Sequence, residues 1–460
     1  MKTYRASSSL LVLISVSIAQ FMAPLMLSSV GVALPSLGRD LHATAMQLGL
    51  VEQLYVVSLA MGMLAFGRYG DIVGQIKVFV PGLAVFTVFS CSLGLAQSVE
   101  MIMVQRFCQG IGACMMLSGS FALVAMAFPQ EVRGRMIGIV SAFTYAGLSS
   151  GPVIGGYITD HFGWRHVFLL SAPLGLLAIV CGLAGARGAK PAAAQDKMDW
   201  RGAAFYAVSV ALVMLGAAHA KQLLVGPPMI LVGVAGLALF LKLQGKTEFP
   251  LLDVRLLKNN KYFTFSSLAA MGNYAATFGV TFLMSLYLQY VKGMSPHEAG
   301  MLLIVQPAMQ IIVAPISGRL ADKFRPGILA TAGMLASFVG LMAAALTVGA
   351  DTPLALLVSE LAVIGVGFGV FISPNSTAIM GSVSRQQFGL ASGMIATMRT
   401  LGMAVSMTTI TLIISFMMGE ATVTARTLPF FLHSMRLALA VSAVFSCVGV
   451  LLSLRRGKGV

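Results

Sequence analysis

Along almost its whole length the chain alternates long apolar runs with short polar, glycine-rich connections. A helix rises 1.5 Å per residue, so about 20 apolar residues cross the ~30 Å hydrocarbon core of a bilayer, and each run predicts one transmembrane helix. Fourteen such spans are predicted. Residues 9–35 form span 1, being too long for a secretory leader and lacking a cleavage site. Span 2 runs from about Gln47 to Phe66, and spans 7 and 8 cover about 201–220 and 226–243. Spans 9 to 14 fall at roughly 263–290, 297–317, 327–349, 353–380, 390–418 and 432–453. The short alternating strands of a membrane barrel are not seen, so the fold class is an all-α membrane protein. Polar, basic stretches at 187–200 and 244–262 set off spans 7 and 8. The predicted organisation is a six-helix bundle (1–186), a linker with two extra transmembrane helices and basic cytoplasmic loops (187–262), and a second six-helix bundle (263–460).

The two bundles are related. Gly49, Gly67 and Asp71 recur as Gly300, Gly318 and Asp322 at one spacing. Gly110, Gly112, Gly134, Gly138 and Gly147 recur as Gly365, Gly367, Gly389, Gly393 and Gly402 at a spacing four residues longer, a difference that one loop absorbs. Parallel repeats of this kind place a substrate near the bilayer midplane at their interface, where rocking exposes it to each side in turn. Span 5 holds the most unusual stretch, Gly138 to Gly156. Gly147, Gly151 and Gly155 stand at every fourth position there, a stripe without side chains on which a neighbouring helix can approach to backbone contact. Gly138 lies on the opposite face, and Pro152 removes a backbone donor beside the stripe, which predicts a bend. In the repeat Gly151 and Pro152 become Ser406 and Met407, so the Gly-Pro pair is not a requirement of the fold alone.

Composition agrees with the pattern. With 58% hydrophobic and 10% charged residues and a mean hydropathy of +0.90, the chain is too apolar for a soluble protein. A net charge of +15 raises the question of an anionic partner such as nucleic acid. Assigning loops alternately to the two sides, with the N-terminus inside, instead places most of the 30 lysines and arginines in the cytoplasm. The chain is therefore expected in the cell (inner) membrane with both termini cytoplasmic and no nucleic-acid partner. Cys91, Cys108, Cys114, Cys181 and Cys447 fall within spans without paired spacing and read as packing thiols. No cofactor or metal site is expected. The GLSSG string from Gly147 to Gly151 lies inside a span with no strand before it, and Gly245-Lys246-Thr247 has Phe240 where a phosphate loop has its first glycine, so the chain does not read as an enzyme.

Several motifs point further. They are Gly67, Asp71 and Gly74 between spans 2 and 3; Arg106, Gln109, Gly110, Gly112 and Ala113 in span 4; the span 5 stretch; and Trp164, Arg165, Phe168, Pro173 and Gly175 in span 6. Together they resemble the fourteen-helix drug:proton antiporter family of the major facilitator superfamily. The resemblance implies proton-coupled multidrug efflux of hydrophobic or amphipathic compounds by alternating access. Its partners are then a small amphipathic substrate, protons and the lipid bilayer, around a monomer. It also implies that Asp71, with Gly67, Gly74 and the repeated Gly318 and Asp322, helps hold a cytoplasmic gate closed. Gly147, Gly151, Pro152, Gly155 and Gly156 then serve the conformational change. A flippase or exporter of a lipid or other amphipath, with different or no proton coupling, is the alternative, and would suit a cavity lined by methionines such as Met22, Met26, Met394, Met398 and Met403. A non-transporting sensor is a third reading, for which no extra domain is seen.

One departure redirects the search for the coupling residue. Near the end of span 1 the family pattern carries Asp, Thr and Asn where this chain has Met26, Ser28 and Gly31. The remaining acids deep within spans are Glu52 and Glu360, and a charge at the centre of a span costs about 2.5–3.5 kcal/mol, so both should face a cavity. Arg106, with Gln109 beside it, and Arg399 are the basic counterparts. Glu360, which the repeat sets opposite Gln105, is expected to carry the coupling proton, with Glu52 the other candidate. Asp71 is expected to meet a helix N-terminus or Arg68, Arg133 and Arg135.

Overall fold

The computed structural model describes the chain except for residues 1–5, 186–196, 220, 221, 223, 253, 322, 384–387, 420, 422, 425 and 457–460, and except for the side chains of residues 6 and 7 and a few between 130 and 141 and between 388 and 392. Every regular element among the described residues is helical. The first six spans are built by α1 (Ala6–Asp40), α2 (Ala45–Val73), α3 (Ile76–Leu93), α4 and α5 (Val99–Ser118 and Ser120–Ala127), α6 (Gln130–Phe162), and α7 and α8 (Trp164–Leu169 and Ser171–Gly185). The extra pair is α9 (Trp200–Ala218) and α10 (Gly226–Gln244), followed by the short α11 (Val254–Asn259). The last six spans are α12 and α13 (Lys261–Thr277 and Val280–Tyr290), α14 and α15 (Pro296–Leu303 and Val305–Ala321), α16 (Pro326–Thr347), α17 (Leu354–Gly381), α18 (Phe388–Met417) and α19 (Leu428–Leu454).

Among the described residues, thirteen helices are long and apolar enough to cross a membrane. The remaining predicted span, span 9 at 263–290, is present as α12 and α13, interrupted at Phe278 and Gly279. The interruption is compensated from outside the helix, since the Gly279 N–H donates to Ser406 Oγ at 3.0 Å. Elsewhere α6 runs through Pro152 without a break.

The repeat is visible in individual contacts. Thr44 and Gln47 form a capping box at the start of α2, and Ser295 and Glu298 form one at the equivalent start of α14. A Cβ on Gly112 would lie 2.9 Å from the Gly82 carbonyl oxygen, and one on Gly367 would lie 2.7 Å from that of Gly333, so α4 on α3 and α17 on α16 make the same backbone-to-backbone approach. Gln105 donates to Ser92 Oγ at 2.7 Å in the first half, and Glu360 accepts from Thr347 Oγ1 at 2.5 Å in the second.

The halves meet at the end of the bundle away from the N-terminus. Gln289 Nε2 donates to the Val32 carbonyl at 2.8 Å and the Tyr290 hydroxyl to that of Pro35 at 3.3 Å. The Ala45 N–H reaches the Ala421 carbonyl at 3.3 Å. Gly156 and Gly300 let α6 and α14 touch through the backbone of Pro296 and Pro152, and beside them Tyr157 stacks on His161 at 4.2 Å and meets His297 edge-on at 5.8 Å. The extra pair lies along the seam between the halves. Gln53 of α2 donates to the Met214 carbonyl of α9 at 2.9 Å and to Thr408 Oγ1 of α18 at 3.3 Å, and Ser415 of α18 donates to the Ala218 carbonyl at 2.9 Å.

Candidate functional site

Below that seal, a partly open cavity lies between the halves. The first half lines it with Leu27, Ser28 and Gly31 of α1, Glu52 of α2, and Leu148 and Pro152 of α6. The second half contributes Tyr274, Thr277, Phe278, Thr281 and Phe282 around the α12–α13 break, Gln306, Pro307 and Gln310 of α15, Phe368 of α17 and Met407 of α18. The wall is mostly aromatic and aliphatic, with two amides and one carboxylate. Such a surface suits an amphipathic guest held by shape and a few polar contacts. Among the methionines named above, none lines the cavity; Met22, Met26, Met394, Met398 and Met403 are buried packing residues.

Glu52 is 3% exposed and forms an ion pair with Arg106, Oε2 to Nη2 at 3.3 Å. Arg106 is fully buried and heavily bound: Nη1 donates to Gln109 Oε1 at 2.7 Å, Nε donates to the Val51 carbonyl at 3.3 Å, and the Tyr55 ring centre lies 4.3 Å from the guanidinium carbon. Gln109 is fixed in turn by donating to Ser90 Oγ at 2.7 Å. Three helices, α2, α3 and α4, thus hold one cation behind the carboxylate that reaches the cavity wall. Each of the three nitrogens of that cation has a hydrogen-bond partner within the protein, which offsets the cost of burying its charge.

The other sequence candidates fall elsewhere. Glu360 is not among the cavity-lining residues; its partner is Thr347, in the contact that repeats Gln105 with Ser92. Arg399 is half-buried, behind the cavity wall and close enough for its charge to act on Tyr145 and on the cavity residue Tyr274. Gly147, Gly151 and Gly155 all face α1, where added Cβ atoms would strike Phe21, Leu25, Ser28 and Ser29, and Ser29 Oγ donates to the Gly151 carbonyl at 2.9 Å. At the loop between α2 and α3, Gln75 Nε2 donates to Asp71 Oδ1 at 2.8 Å, and Gly74 ends α2 with φ of +104°, a conformation that favours glycine. Gly67 lies 3.8 Å from Ser118 and Gly318 2.8 Å from Ser373, measured from an added Cβ. Asp322 and the side chains of Arg133 and Arg135 lie outside the described residues.

Sequence reasoning missed the polar residues that carry no charge. Gln306 and Gln310 stand four apart, on one face of an apolar helix, and Gln53 is fully buried at the junction of α2, α9 and α18. An amide within a span is the signal that points to such positions.

An all-helical bundle with repeated halves, a cavity between them and a polar network behind its wall defines a membrane transporter. Residues 16–407 match the family model described as Major Facilitator Superfamily, and the chain belongs to that superfamily. It is 32% identical to the riboflavin transporter RibZ of Clostridioides difficile (strain 630), over 86% of each chain. It is 27% identical to the multidrug resistance protein Stp of Mycobacterium tuberculosis (strain CDC 1551 / Oshkosh), over 86% of this chain and 74% of Stp. It is 28% identical to the tetracenomycin C resistance and export protein of Streptomyces glaucescens, over 83% of this chain and 71% of the relative.

Proposed function

We propose that this transporter exports hydrophobic or amphipathic drug-like compounds in exchange for protons, by alternating access. The observation that supports the reading is Glu52, a carboxylate at the cavity wall whose counter-charge, Arg106, is buried behind it. When the carboxylate takes a proton from cavity water, its ion pair with Arg106 weakens, while Gln109, the Val51 carbonyl and the Tyr55 ring still hold the guanidinium. A guest that favours the ionised wall then competes with the proton, which couples the two fluxes. Relatives named for multidrug resistance and for tetracenomycin C export favour efflux.

In this proposal the protein is a monomer in the cell membrane with both termini in the cytoplasm, divided at about residues 186 and 262. The sealed end then faces outward and the cavity belongs to an inward-facing state. Reporter fusions at the C-terminus test the topology. Everted vesicles test the coupling: an amphipathic cationic dye should accumulate on energisation and be released by an uncoupler, and uncoupler-insensitive accumulation would refute proton exchange.

A second reading is favoured by the relative named as a riboflavin transporter and by the pairing of two glutamines with Tyr274, Phe278 and Phe368, which suits a flat, polar heteroaromatic ring. Saturable riboflavin flux in the same vesicles would select it. With Met407 the only methionine in the cavity wall among the described residues, the lipid-moving alternative has less to support it.

A further inference from the structure

At the end of the second bundle that carries the C-terminus, just beyond α19, the Arg456 side chain is drawn in among α12, α16 and α17 and is 5% exposed. Its Nη2 donates to Asn375 Oδ1 at 2.6 Å, and Asn375 Nδ2 donates to the Ser266 carbonyl at 3.1 Å. Among the described residues its Nε and Nη1 have no hydrogen-bond partner and it makes no ion pair. Burial pulls its pKa down to about 10, so it remains a cation at neutral pH. A buried cation with two donors unmade is destabilising unless something else supplies acceptors.

A second positive feature meets it there. A Cβ on Gly327, near the start of α16, would lie 3.8 Å from Arg456 Nη1 and 3.4 Å from the Tyr262 hydroxyl. The N-cap residue of α16, Arg325, caps no backbone N–H with its side chain, and Pro326 stands at the first turn. The N-cap side chain of this 22-residue helix thus supplies no acceptor to its positive end.

We propose that Arg456, the N-terminus of α16 and Tyr262 form a binding site for a phosphate oxyanion, separate from the transport cavity. Nη1, the guanidinium nitrogen beside Gly327, offers charge-assisted N–H donors to a phosphate oxygen, and the Tyr262 hydroxyl adds a further donor. Lys261, Lys323, Arg325 and Arg455, close in sequence to these residues, are exposed and raise the local positive potential. The phosphate comes either from an anionic lipid headgroup, whose chains would lie on Ile328 and Leu454, 65% and 67% exposed, or from free phosphate.

Native mass spectrometry of the purified full chain tests the site with phosphatidylglycerol and, separately, inorganic phosphate. One of the two probes should be retained about tenfold less by Arg456→Gln than by the wild type, the loss expected for one charge-assisted contact. Arg456→Lys should restore part of it. A difference confined to phosphatidylglycerol identifies the lipid headgroup, and one confined to inorganic phosphate identifies the free ion. Equal retention of both probes by wild type and Arg456→Gln overturns the site. If Arg456→Gln does not fold, Tyr262→Phe decides, because it deletes one donor of the cradle without touching the buried cation. Unchanged retention of both probes by Tyr262→Phe would then overturn the site.

Discussion

Exchanging Ser28 and Gly151 tests whether the first bundle accepts the contact that the second bundle uses. In the first half Ser28 of α1 faces Gly151 of α6; at the repeat-related place Gly279 faces Ser406, so the hydroxyl has changed sides. A Cβ at position 151 would lie 2.8 Å from Ser28 Cβ, closer still to Ser28 Oγ, and 3.0 Å from the Leu25 carbonyl oxygen. Gly151→Ser alone must therefore push α1 and α6 apart, and overpacking of this kind costs about 1–3 kcal/mol. Ser28→Gly alone removes the Ser28 hydroxyl's bond to the Pro24 carbonyl, 2.9 Å, and places a glycine in a helix, together about 0.5–1 kcal/mol. The double variant deletes both Ser28 atoms in the overlap and leaves only the Leu25 carbonyl, which a shift of a few tenths of an ångström relieves. The two changes should couple favourably by about 1–2 kcal/mol. Rescue should be incomplete. Ser406 accepts the N–H of Gly279, freed by the break between α12 and α13, whereas α1 runs unbroken through position 28 and has no such N–H to offer. Unfolding midpoints of the four purified proteins in one detergent measure the cycle. Additive single effects, with coupling near zero, would refute the steric account.

Three more predictions follow from the polar contacts. Glu360→Gln should leave export and its pH dependence unchanged and shift stability by less than about 0.5 kcal/mol, since it copies the amide-to-hydroxyl contact of Gln105 with Ser92; loss of export in a flux assay would return the coupling role to Glu360. Glu52→Gln should abolish uncoupler-sensitive export and flatten the pH profile of substrate binding, and, by leaving Arg106 without its carboxylate, lower stability by about 3 kcal/mol; an unaltered pH profile of binding would count against it. Gln53→Ala should loosen α9 from both halves at a cost of about 1–2 kcal/mol, read as faster proteolysis of the loops flanking the extra pair, whereas unchanged cleavage would show that the apolar contacts suffice.

The spans and the repeat were legible because the bilayer imposes them. A helix must present about 20 apolar residues whatever it later does, and a glycine where two backbones touch recurs in both halves because no side chain fits, as at Gly112 and Gly367. The break at Phe278 and Gly279 was not legible. Both residues are ordinary within an apolar run, and what permits the interruption is Ser406, more than a hundred residues away, accepting the freed N–H. The cavity wall was hidden for a related reason: Thr277, Thr281, Gln306 and Gln310 carry no charge, so an argument from the energetic cost of buried charges passes over them.

The same argument cannot separate Glu52 from Glu360, because that cost depends on depth, and depth is all that a position in a span reveals. The partner separates them. Thr347 lies thirteen residues before Glu360, just as Ser92 lies thirteen before Gln105, so the repeat already pairs each of these positions with a hydroxyl at the end of the preceding helix. Arg106 has no counterpart in that pattern, since Leu361 follows Glu360 where Arg106 follows Gln105. An acid whose neighbourhood is duplicated with an amide in the other half has a role that an amide can fill. Glu52 is joined to the residue that breaks the symmetry, and under the proposed proton exchange a carboxylate facing an unduplicated buried cation is where a change of protonation would alter the balance of charge between the halves.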